Sequence, residues 1–306
     1  MSKKKQLVFR SNVIRSIRAF FESRDFLEVE TALLVPSPGM DLHLDAFEVK
    51  TDSPNRYLMT SPEYQMKRLI ADGYERIFQI AKVFRQFEFG SRHNPEFTML
   101  EWYRANGTVD DVMSDTEQLV AMVTGGGCVI DGVRYDTRPP FERLTVGEAF
   151  ARYASMSPDS ALKLAETDED AFFRKLVDEV EPGIAKITHA VFLTEYPVSQ
   201  ASLARKKPGN PRVAERFELY VAGVELCNGF GELVDPVEQR KRFESDQKAR
   251  RAQGKSVYPI DEKFIDALKK GLPPCGGNAV GVDRLIALAA GSREIAEVIA
   301  FADDEL

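Results

Sequence analysis

The 306-residue sequence predicts an α+β protein in which helices flank an antiparallel sheet. Strand-like segments over 77–85 and 96–104 are joined by a polar loop, and residues 216–233 read as a second hairpin. Helical patterns surround them at irregular intervals, unlike the regular strand–helix alternation of a parallel sheet. The glycine motifs of Rossmann and P-loop folds are absent from the sequence, which argues against both folds.

The individual elements follow from local patterns. Apolar residues at helical spacing predict a first helix near residues 13–21, and the strand LEVET follows it. The later predicted elements are short strands near 47–49 and 56–60, a helical insert at about 145–185, a strand near 190–196, a charged helix at about 238–253, and the glycine-rich strand GGNAVGVD running into the helix RLIALAAG. No linker or repeat interrupts them, so we expect one domain over residues 1–306.

Composition restricts the class of protein. The chain is 43% hydrophobic, enough for a large core, and it carries a net charge of -7. An acidic total disfavours a protein whose main task is to bind nucleic acid through a basic surface.

Cysteine and histidine usage points to a reducing environment. The three cysteines, Cys128, Cys227 and Cys275, are far apart and odd in number, so a disulfide framework is not expected. They show no metal-ligand spacing with the three histidines. No secretory signal follows the basic start MSKKKQLVFR, and no apolar run approaches the length of a membrane span. We therefore expect a cytoplasmic protein with no membrane partner.

The hairpin over 216–233 places two carboxylates on one side. Ala222-Gly223 suits a two-residue turn. Strand alternation then puts Glu218 and Glu225 on the same face, as diagonal neighbours about 7–8 Å apart. Two carboxylates opposite an apolar face suit Mg²⁺ held together with phosphates. An ordinary solvent-facing strand explains the same pattern at least as well.

The outgoing strand of the first hairpin has an unusual face. Phe97, Glu101 and Tyr103 lie on one side of it. An aromatic ring, a carboxylate and a phenol in line suit stacking of a base and binding of an ammonium group. An amphipathic strand with aromatic core residues is the alternative.

Arginines and glycines supply possible phosphate contacts. Arg85 ends the incoming strand of the first hairpin, and Arg92-His93 lies in its loop, where a guanidinium fork can bind phosphate or carboxylate oxygens. In GGNAVGVDRL, small residues allow a ligand to approach the backbone, and Arg284 opens a helix whose N-terminus favours anions. A solvated loop and close strand–helix packing are the alternative explanations.

Together, these segments resemble the class II aminoacyl-tRNA synthetases over nearly the whole chain. The stretches RHNPEFTMLE, ELCNGFGEL and GVDRL are similar to motifs 2 and 3 of the lysyl branch. The first helix, which resembles motif 1, begins within the first dozen residues, so no anticodon-binding OB domain is expected before it. The stretches EWYR, TSPEYQMKRL and SQASLA, with Ala279, resemble the stand-alone paralogues that attach lysine or (R)-β-lysine to elongation factor P.

This resemblance implies a function. The expected activity is an ATP-dependent, AMP-forming ligase that forms a lysyl or (R)-β-lysyl adenylate with Mg²⁺ and transfers the amino acid to elongation factor P. No stable tRNA binding is expected, and a homodimer is. A minimal tRNA-lysylating enzyme and a non-catalytic synthetase-like regulatory module are the competing hypotheses.

The resemblance also implies roles for individual residues. The expected ATP contacts are Arg85, Gln86, Glu88, Arg92, His93, Asn94, Phe97, Glu225, Leu226, Gly281 and Arg284, of which Arg85 and Arg284 are the expected catalytic residues. The expected amino-acid contacts are Ser61, Pro62, Glu63, Glu101, Tyr103, Asn228, Glu232 and Ala279. The expected Mg²⁺ ligands are Glu218 and Glu225. Glu232 and Tyr103 would hold the distal ammonium, Glu63 the amine near the reacting end, and Ala279 would narrow the pocket in favour of (R)-β-lysine.

Two positions depart from the family pattern. Motif 2 usually has Glu two residues after its arginine, where this chain has Phe87 followed by Glu88. Motif 1 usually has Pro after the dipeptide ET, where this chain has Ala32. The first change bears on adenine recognition and the second on the dimer interface.

Overall fold

A computed structural model describes residues 2–52 and 54–306. Within them, eight strands form a central sheet with helices on both faces, which confirms the α+β prediction. In this described part of the chain, no helix is both long enough and apolar enough to cross a membrane.

The elements are numbered along the chain. The helices are α1 (Lys3–Glu22), α2 (Glu63–Ala71), α3 (Val109–Thr124), α4 (Val146–Tyr153), α5 (Pro158–Thr167), α6 (Glu169–Lys175), α7 (Glu181–Ile184), α8 (Pro236–Ala252), α9 (Glu262–Gly271) and α10 (Val282–Ala289). The strands are β1 (Leu27–Glu28), β2 (Leu34–Val35), β3 (Glu48–Val49), β4 (Arg56–Leu58), β5 (Arg76–Phe84), β6 (Glu96–Ala105), β7 (Gly127–Ile130), β8 (Val133–Asp136), β9 (Glu142–Thr145), β10 (Val191–Thr194), β11 (Lys206–Lys207), β12 (Asn210–Ala214), β13 (Arg216–Val221), β14 (Val224–Gly231) and β15 (Cys275–Gly281).

The central sheet has the order β1-β5-β6-β15-β14-β13-β10-β9. Its interior pairs are antiparallel, as the sequence predicts, while β1 pairs with β5 and β9 with β10 in parallel at the two edges. The β15 strand lies between β6 and β14, so the glycine-rich segment near the end of the chain joins the two hairpins into one sheet.

One face of the sheet is closed by a large apolar core. Helices α1, α3 and α10 pack there against alternate residues of the strands, with Trp102 fully buried among them. Helix α3 is well capped: Thr108 and Asp111 form a capping box, and Gly125 ends the helix in the left-handed conformation. Burial of this face fixes the alternation of every strand, because a one-residue slip would turn its apolar residues outward.

The other face is covered only at its two ends. At one end, α2, α8 and α9 pack on Ile77 and Tyr103. At the other, the predicted helical insert forms α4 to α7 and packs on Val191, Leu193 and Tyr220. The middle of this face stays uncovered between the two helical groups and forms the floor of a cleft.

The β13–β14 hairpin has the predicted turn. Ala222 and Gly223 both have positive φ, 53° and 69°, as a two-residue turn of this kind requires. Gly223 is further required because a Cβ there would lie 2.7 Å from the Cβ of Ala185, at the end of the insert.

Candidate active site

The cleft contains two cavities that meet. The first has a volume of about 670 Å³ and the second about 410 Å³. Arg85, Met99, Asn228 and Ala279 line both cavities. The two spaces are therefore continuous across the middle of the open sheet face.

Cross-strand pairing aligns the residues of the cleft floor. Gln79, Glu101, Ala279, Asn228 and Glu218 are successive partners across five neighbouring strands. Directly opposed residues share a face of the sheet, so one row joins residues far apart in sequence. Ala279 lies at the centre of this row.

Arginines and a histidine gather around the first cavity. Arg284 Nε donates to the carbonyl of Arg92 at 3.2 Å, and its Nη2 lies 2.8 Å from His93 Nε2. Arg92 in turn donates to the carbonyl of Gly223 at 2.8 Å. Arg85 stands with its guanidinium carbon 5.1 Å from the centroid of Phe97. These contacts hold three guanidinium groups around one space.

The excess of positive charge around the first cavity perturbs its own members. Burial lowers the pKa of Arg92, and the nearby Arg293 and Arg284 lower it further. Burial and Arg284 likewise lower the pKa of His93, which is therefore neutral at pH 7. Such a site is suited to an anion with several charges, because each phosphate oxygen relieves repulsion between the guanidinium groups.

Glu218 and Glu225 both line the first cavity, but they are held differently. The Glu218 carboxylate accepts hydrogen bonds from Tyr196 Oη at 2.5 Å, Tyr220 Oη at 2.8 Å and Arg216 Nη2 at 2.6 Å. The Glu225 carboxylate is 42% exposed, and its nearest cation is Arg284 at 3.7 Å. Glu218 is therefore fixed in place, whereas Glu225 is available to a ligand.

Mg²⁺ fits this pair in one respect. Partial desolvation in the cleft raises the pKa of Glu225 although its side chain is 42% exposed, and the negative charge of Glu218 raises it further. A divalent cation beside both carboxylates would relieve that repulsion, and oxygen is its preferred ligand. Among the described residues, no group of three or more His, Cys, Asp or Glu side chains could hold a metal. Other Mg²⁺ ligands would have to come from phosphates or water.

A β-bulge changes the neighbours of these glutamates. Tyr220 pairs with Glu225 as a regular hairpin requires, but Leu219 then pairs with Cys227 and Glu218 with Asn228. Leu226 is the extra residue. The predicted common face is kept, while the residue opposite Glu218 differs from the regular register.

The second cavity has an acidic side. Ser61 and Glu63 line it, at the start of α2. Ser61 Oγ donates to Glu101 at 2.8 Å, and Tyr103 Oη donates to the same carboxylate at 2.5 Å. Glu232 follows β14 and lies close by, because a Cβ on Gly277 would contact both Tyr103 and Glu232.

Glu101, Tyr103 and Glu232 lie beneath the surface of the cleft. They are 1%, 2% and 1% exposed. None of the three is among the described residues that line the two cavities. Burial, with the charge of Glu63, raises the pKa of Glu101 to about 7. Burial raises the pKa of Glu232 to about 8, against the opposing effect of Lys67.

Lys67 is a member of this group that the sequence reasoning missed. Its side chain is 0% exposed, and its Nζ lies 2.5 Å from Glu63 Oε1 and 2.5 Å from Glu232 Oε2. Glu232, predicted to hold a substrate ammonium, is thus already in contact with an ammonium of the chain itself. The available signal was the i, i+4 spacing of Glu63 and Lys67 on α2, which more often marks an exposed pair.

The remaining predicted residues divide into two groups. The lining residues include Glu88, Asn94, Leu226, Gly281 and Ala279. Gln86 and Pro62 are not among the lining residues of either cavity. Asn94 uses its side chain within the chain, accepting from the backbone of Asp303 at 3.0 Å and donating to the carbonyl of Glu96 at 2.7 Å.

The two departures from the family pattern have structural counterparts. Phe87 is 77% exposed with a positive φ of 63°, and the following Glu88 faces the first cavity, 3.6 Å from Arg85. Ala32 donates its backbone N–H to Gln65 Oε1 at 3.0 Å, which a proline at that position could not do.

The helical insert reaches the mouth of the first cavity. Glu169 and Phe173 of α6 line it, together with His43 from the opposite side. The rings of His43 and Phe173 lie 5.2 Å apart, edge to face. The sequence reasoning assigned the insert no role, because nothing in its pattern indicates which of its residues meet a distant loop.

A comparison of the sequence with protein families agrees with this geometry. The model of the tRNA synthetases class II (D, K and N) matches residues 1–305. The chain belongs to the class II tRNA synthetases. In this family the catalytic domain forms aminoacyl adenylates from ATP, usually with Mg²⁺, which agrees with a cleft carrying arginines at one end and carboxylates at the other. The amino acid and the acceptor are narrower questions.

Proposed function

We propose that this protein is an AMP-forming ligase that activates lysine or (R)-β-lysine with ATP and transfers it to a lysine side chain of elongation factor P. The observation that carries the choice of amino acid is the acidic network, defined here as Glu63, Glu101, Glu232 and Lys67. It contains three carboxyl groups and one ammonium, so at most one carboxylate charge is matched from within the network. A substrate with a cationic side chain would supply the missing charge.

The activation step requires positioning and charge stabilisation. The substrate carboxylate attacks the α-phosphate of ATP, its oxygen forms the new P–O bond, and pyrophosphate leaves. Arg85 lines both cavities and so can reach the carboxylate and the α-phosphate together. Arg92, His93 and Arg284 surround the space for the outer phosphates and adenine, which Phe97 also lines. The fixed guanidinium groups of Arg85, Arg92 and Arg284 would stabilise charge that develops in the transition state.

Glu225, with Glu218 beside it, is the proposed site for Mg²⁺. When bound, the ion would neutralise phosphate charge. The chain's own contribution is to hold Glu218 rigidly through Tyr196, Tyr220 and Arg216, and to leave Glu225 exposed to the ligand.

The second cavity supplies a route for the acceptor. It extends from Arg85 to the side chains of Arg56, Arg68 and Lys263. A lysine of the acceptor protein could enter there and attack the adenylate carbonyl, releasing AMP, while the first cavity still holds the nucleotide. A separate entrance supports transfer to an acceptor without prior release of the adenylate.

A homodimer forms part of the proposal. Leu27, Leu33 and Leu34 near the end of α1 are 52%, 42% and 45% exposed. These residues belong to the segment that resembles motif 1, so a second copy of the chain is the expected cover.

A tRNA acceptor is the second candidate, because the matched family model describes tRNA synthetases. The net charge of -7 and the pI of about 5.3 favour the protein acceptor, since tRNA binding depends strongly on cationic surface. A non-catalytic module is disfavoured by the arginines and glutamates gathered in one cleft.

A competition experiment tests the proposal. The protein is mixed with ATP, Mg²⁺, bulk tRNA, elongation factor P and labelled lysine, α in one reaction and (R)-β in another. We expect label on elongation factor P. Label on tRNA alone would refute the protein acceptor, and absence of both label and pyrophosphate release would refute the ligase.

Controls separate the two steps. Elongation factor P with its acceptor lysine changed to arginine should remain unlabelled while lysine-dependent ATP–pyrophosphate exchange continues. Arg85→Gln should lower both labelling and exchange by about 100- to 1,000-fold. Arginine and ornithine in place of lysine should be poor substrates, because the buried network matches an ammonium at a defined distance.

A further inference from the structure

Lys67 occupies an unusual position for a lysine. It is fully buried, one helical turn after Glu63 on α2, and it contacts Glu232, which follows β14. The rings of Tyr103 and Phe264 have their centroids 6.0 Å and 5.9 Å from its Nζ. The ammonium thus connects α2, in the first quarter of the chain, with the segment that follows β14, in the last third.

Such burial is stable only because the ammonium is paired. An isolated buried ammonium is strongly unfavourable, and the usual outcome is loss of the proton. Burial acts to lower the pKa of Lys67, but the charges of Glu232 and Glu63 outweigh it, and its pKa is raised. Lys67 therefore remains a cation throughout the physiological range.

The same pairing fixes the carboxylates. Glu63 lines the second cavity, and its Oε1 is held by Lys67, so the side chain has a defined position before any ligand arrives. Glu101 is fixed separately by Ser61 and Tyr103. Without Lys67, the three remaining members of the network would be carboxyl groups with no cation among them.

We propose that Lys67 is a positioning residue that holds Glu63 and Glu232 in their binding positions and sets the charge of the network so that it accepts a substrate ammonium. Two effects follow. The charge of Lys67 lowers the pKa of Glu232 against the larger effect of burial, and its contacts keep Glu63 and Glu232 oriented. This inference rests on the proposed lysine-type substrate.

The first test compares Lys67→Met with Lys269→Met. Lys269 is an exposed lysine that pairs with Asp266 on α9, so its variant controls for loss of one lysine charge. Amino-acid-dependent ATP–pyrophosphate exchange gives separate KM values for lysine and ATP. We expect Lys67→Met to raise the KM for lysine roughly 10- to 100-fold, the range typical when a residue that orients ligand-binding groups is lost. The KM for ATP should change less than about threefold.

The second test separates charge from packing. Lys67→Ala leaves space for a small molecule, and propylammonium and 1-propanol have nearly the same shape. Rescue of the lysine KM and of the unfolding temperature by propylammonium, but not by 1-propanol, would support the proposal. Equal rescue by both molecules would show that Lys67 acts only through packing, and would overturn the proposal. This test also applies if Lys67→Met does not fold, because the added cation can be present during purification.

The outcomes distinguish the two proposals. A wild-type protein that activates no lysine-type amino acid overturns the proposed function and this inference with it. A wild-type protein that activates lysine, with an unchanged lysine KM in Lys67→Met, overturns the inference alone.

Discussion

The two ends of the cleft treat charge in opposite ways. Around the first cavity the charges are partly exposed: the side chains of Arg85 and Arg284 are each 22% exposed, and that of Glu225 is 42% exposed. In the acidic network, Lys67 and Glu232 are 0% and 1% exposed. At the first end, charged side chains are available to pair with a ligand. At the second end, Lys67 and the glutamates already pair with one another.

This contrast distinguishes charged residues that serve ligand binding alone from those that also contribute to folding stability. A charge that water can reach contributes little to stability and can be changed without unfolding the protein. A buried charge contributes to both, because removal of one partner leaves the other uncompensated. We therefore expect changes of the partly exposed Arg85, Arg284 and Glu225 to alter activity alone, and changes of Lys67 to alter activity and stability together.

The largest effect is expected from Arg85→Gln. Loss of a fixed cation that stabilises transition-state charge should lower the kcat of pyrophosphate exchange about 100- to 1,000-fold. The free energy of unfolding should stay within roughly 1 kcal/mol of wild type, since the side chain is partly exposed. Arg143→Gln, an exposed arginine paired with Asp110, is the control. A large loss of stability would contradict the expectation that the partly exposed charges of the first cavity contribute little to folding.

Glu232→Gln should weaken the use of lysine by a few kcal/mol, or roughly 100-fold in kcat/KM. Its neutral amide keeps the shape of the side chain but removes one of the carboxylates that would face the substrate ammonium. Exchange kinetics with lysine as the varied substrate measure the change. An unchanged kcat/KM would remove Glu232 from the amino-acid site.

Lysine affinity should depend on pH with a defined sign. The pKa values of Glu101 and Glu232 are raised to about 7 and about 8, so below pH 7 protonation competes with the substrate ammonium. Affinity should fall as pH decreases from 8, by at most about tenfold per pH unit for each of the two carboxyl groups that must lose its proton. Calorimetric titration from pH 6 to 8.5 measures it, and a flat profile would show that the network stays ionised.

The stability of the free protein should have the opposite pH dependence. Because the folded-state pKa values exceed the ordinary value of about 4.5, the folded protein binds more protons than the unfolded chain. The stabilisation from these two groups is complete below about pH 4.5 and is lost as pH rises through 7 and 8. Added lysine should therefore raise the unfolding temperature more at pH 8.5 than at pH 6.

The smallest effect is expected from Ala279→Gly. Ala279 lies between Glu101 and Asn228 in the row of the cleft floor, so loss of its methyl group widens the junction of the cavities. The ratio of kcat/KM for α-lysine to that for (R)-β-lysine should rise several-fold, the scale of one methyl group. Ala105→Gly, at the end of β6, controls for the general effect of glycine in a strand. An unaltered ratio would exclude Ala279 from substrate selection.

Much of the site's framework was predictable from local patterns. Alternation along β6 places Phe97, Met99, Glu101 and Tyr103 on one face because the opposite face, with Leu100 and Trp102, is buried in the core. The turn at Ala222-Gly223 was predictable because few residue pairs suit that backbone. Both follow from rules that involve neighbours in sequence.

The parts that were missed depend on distant neighbours. Lys67 reads as an ordinary surface lysine until Glu232 approaches it from a segment more than 160 residues away. The approach of Phe173 to His43 is equally invisible, because it depends on how the insert packs. The parallel edge strands are short, two residues for β1 and four for β9, and give little periodic signal.

The bulge at Leu226 shifts the alternation of side chains by one residue within β14. Glu225 and Asn228 are three residues apart and would face opposite sides of a regular strand, yet both border the cleft. A regular strand of the same length would turn either the glutamate or the asparagine into the apolar core. Deleting the leucine would instead leave the glutamate and the asparagine two positions apart and still on one face. The bulge therefore accommodates one extra residue within β14 without disturbing the polar row of the cleft floor.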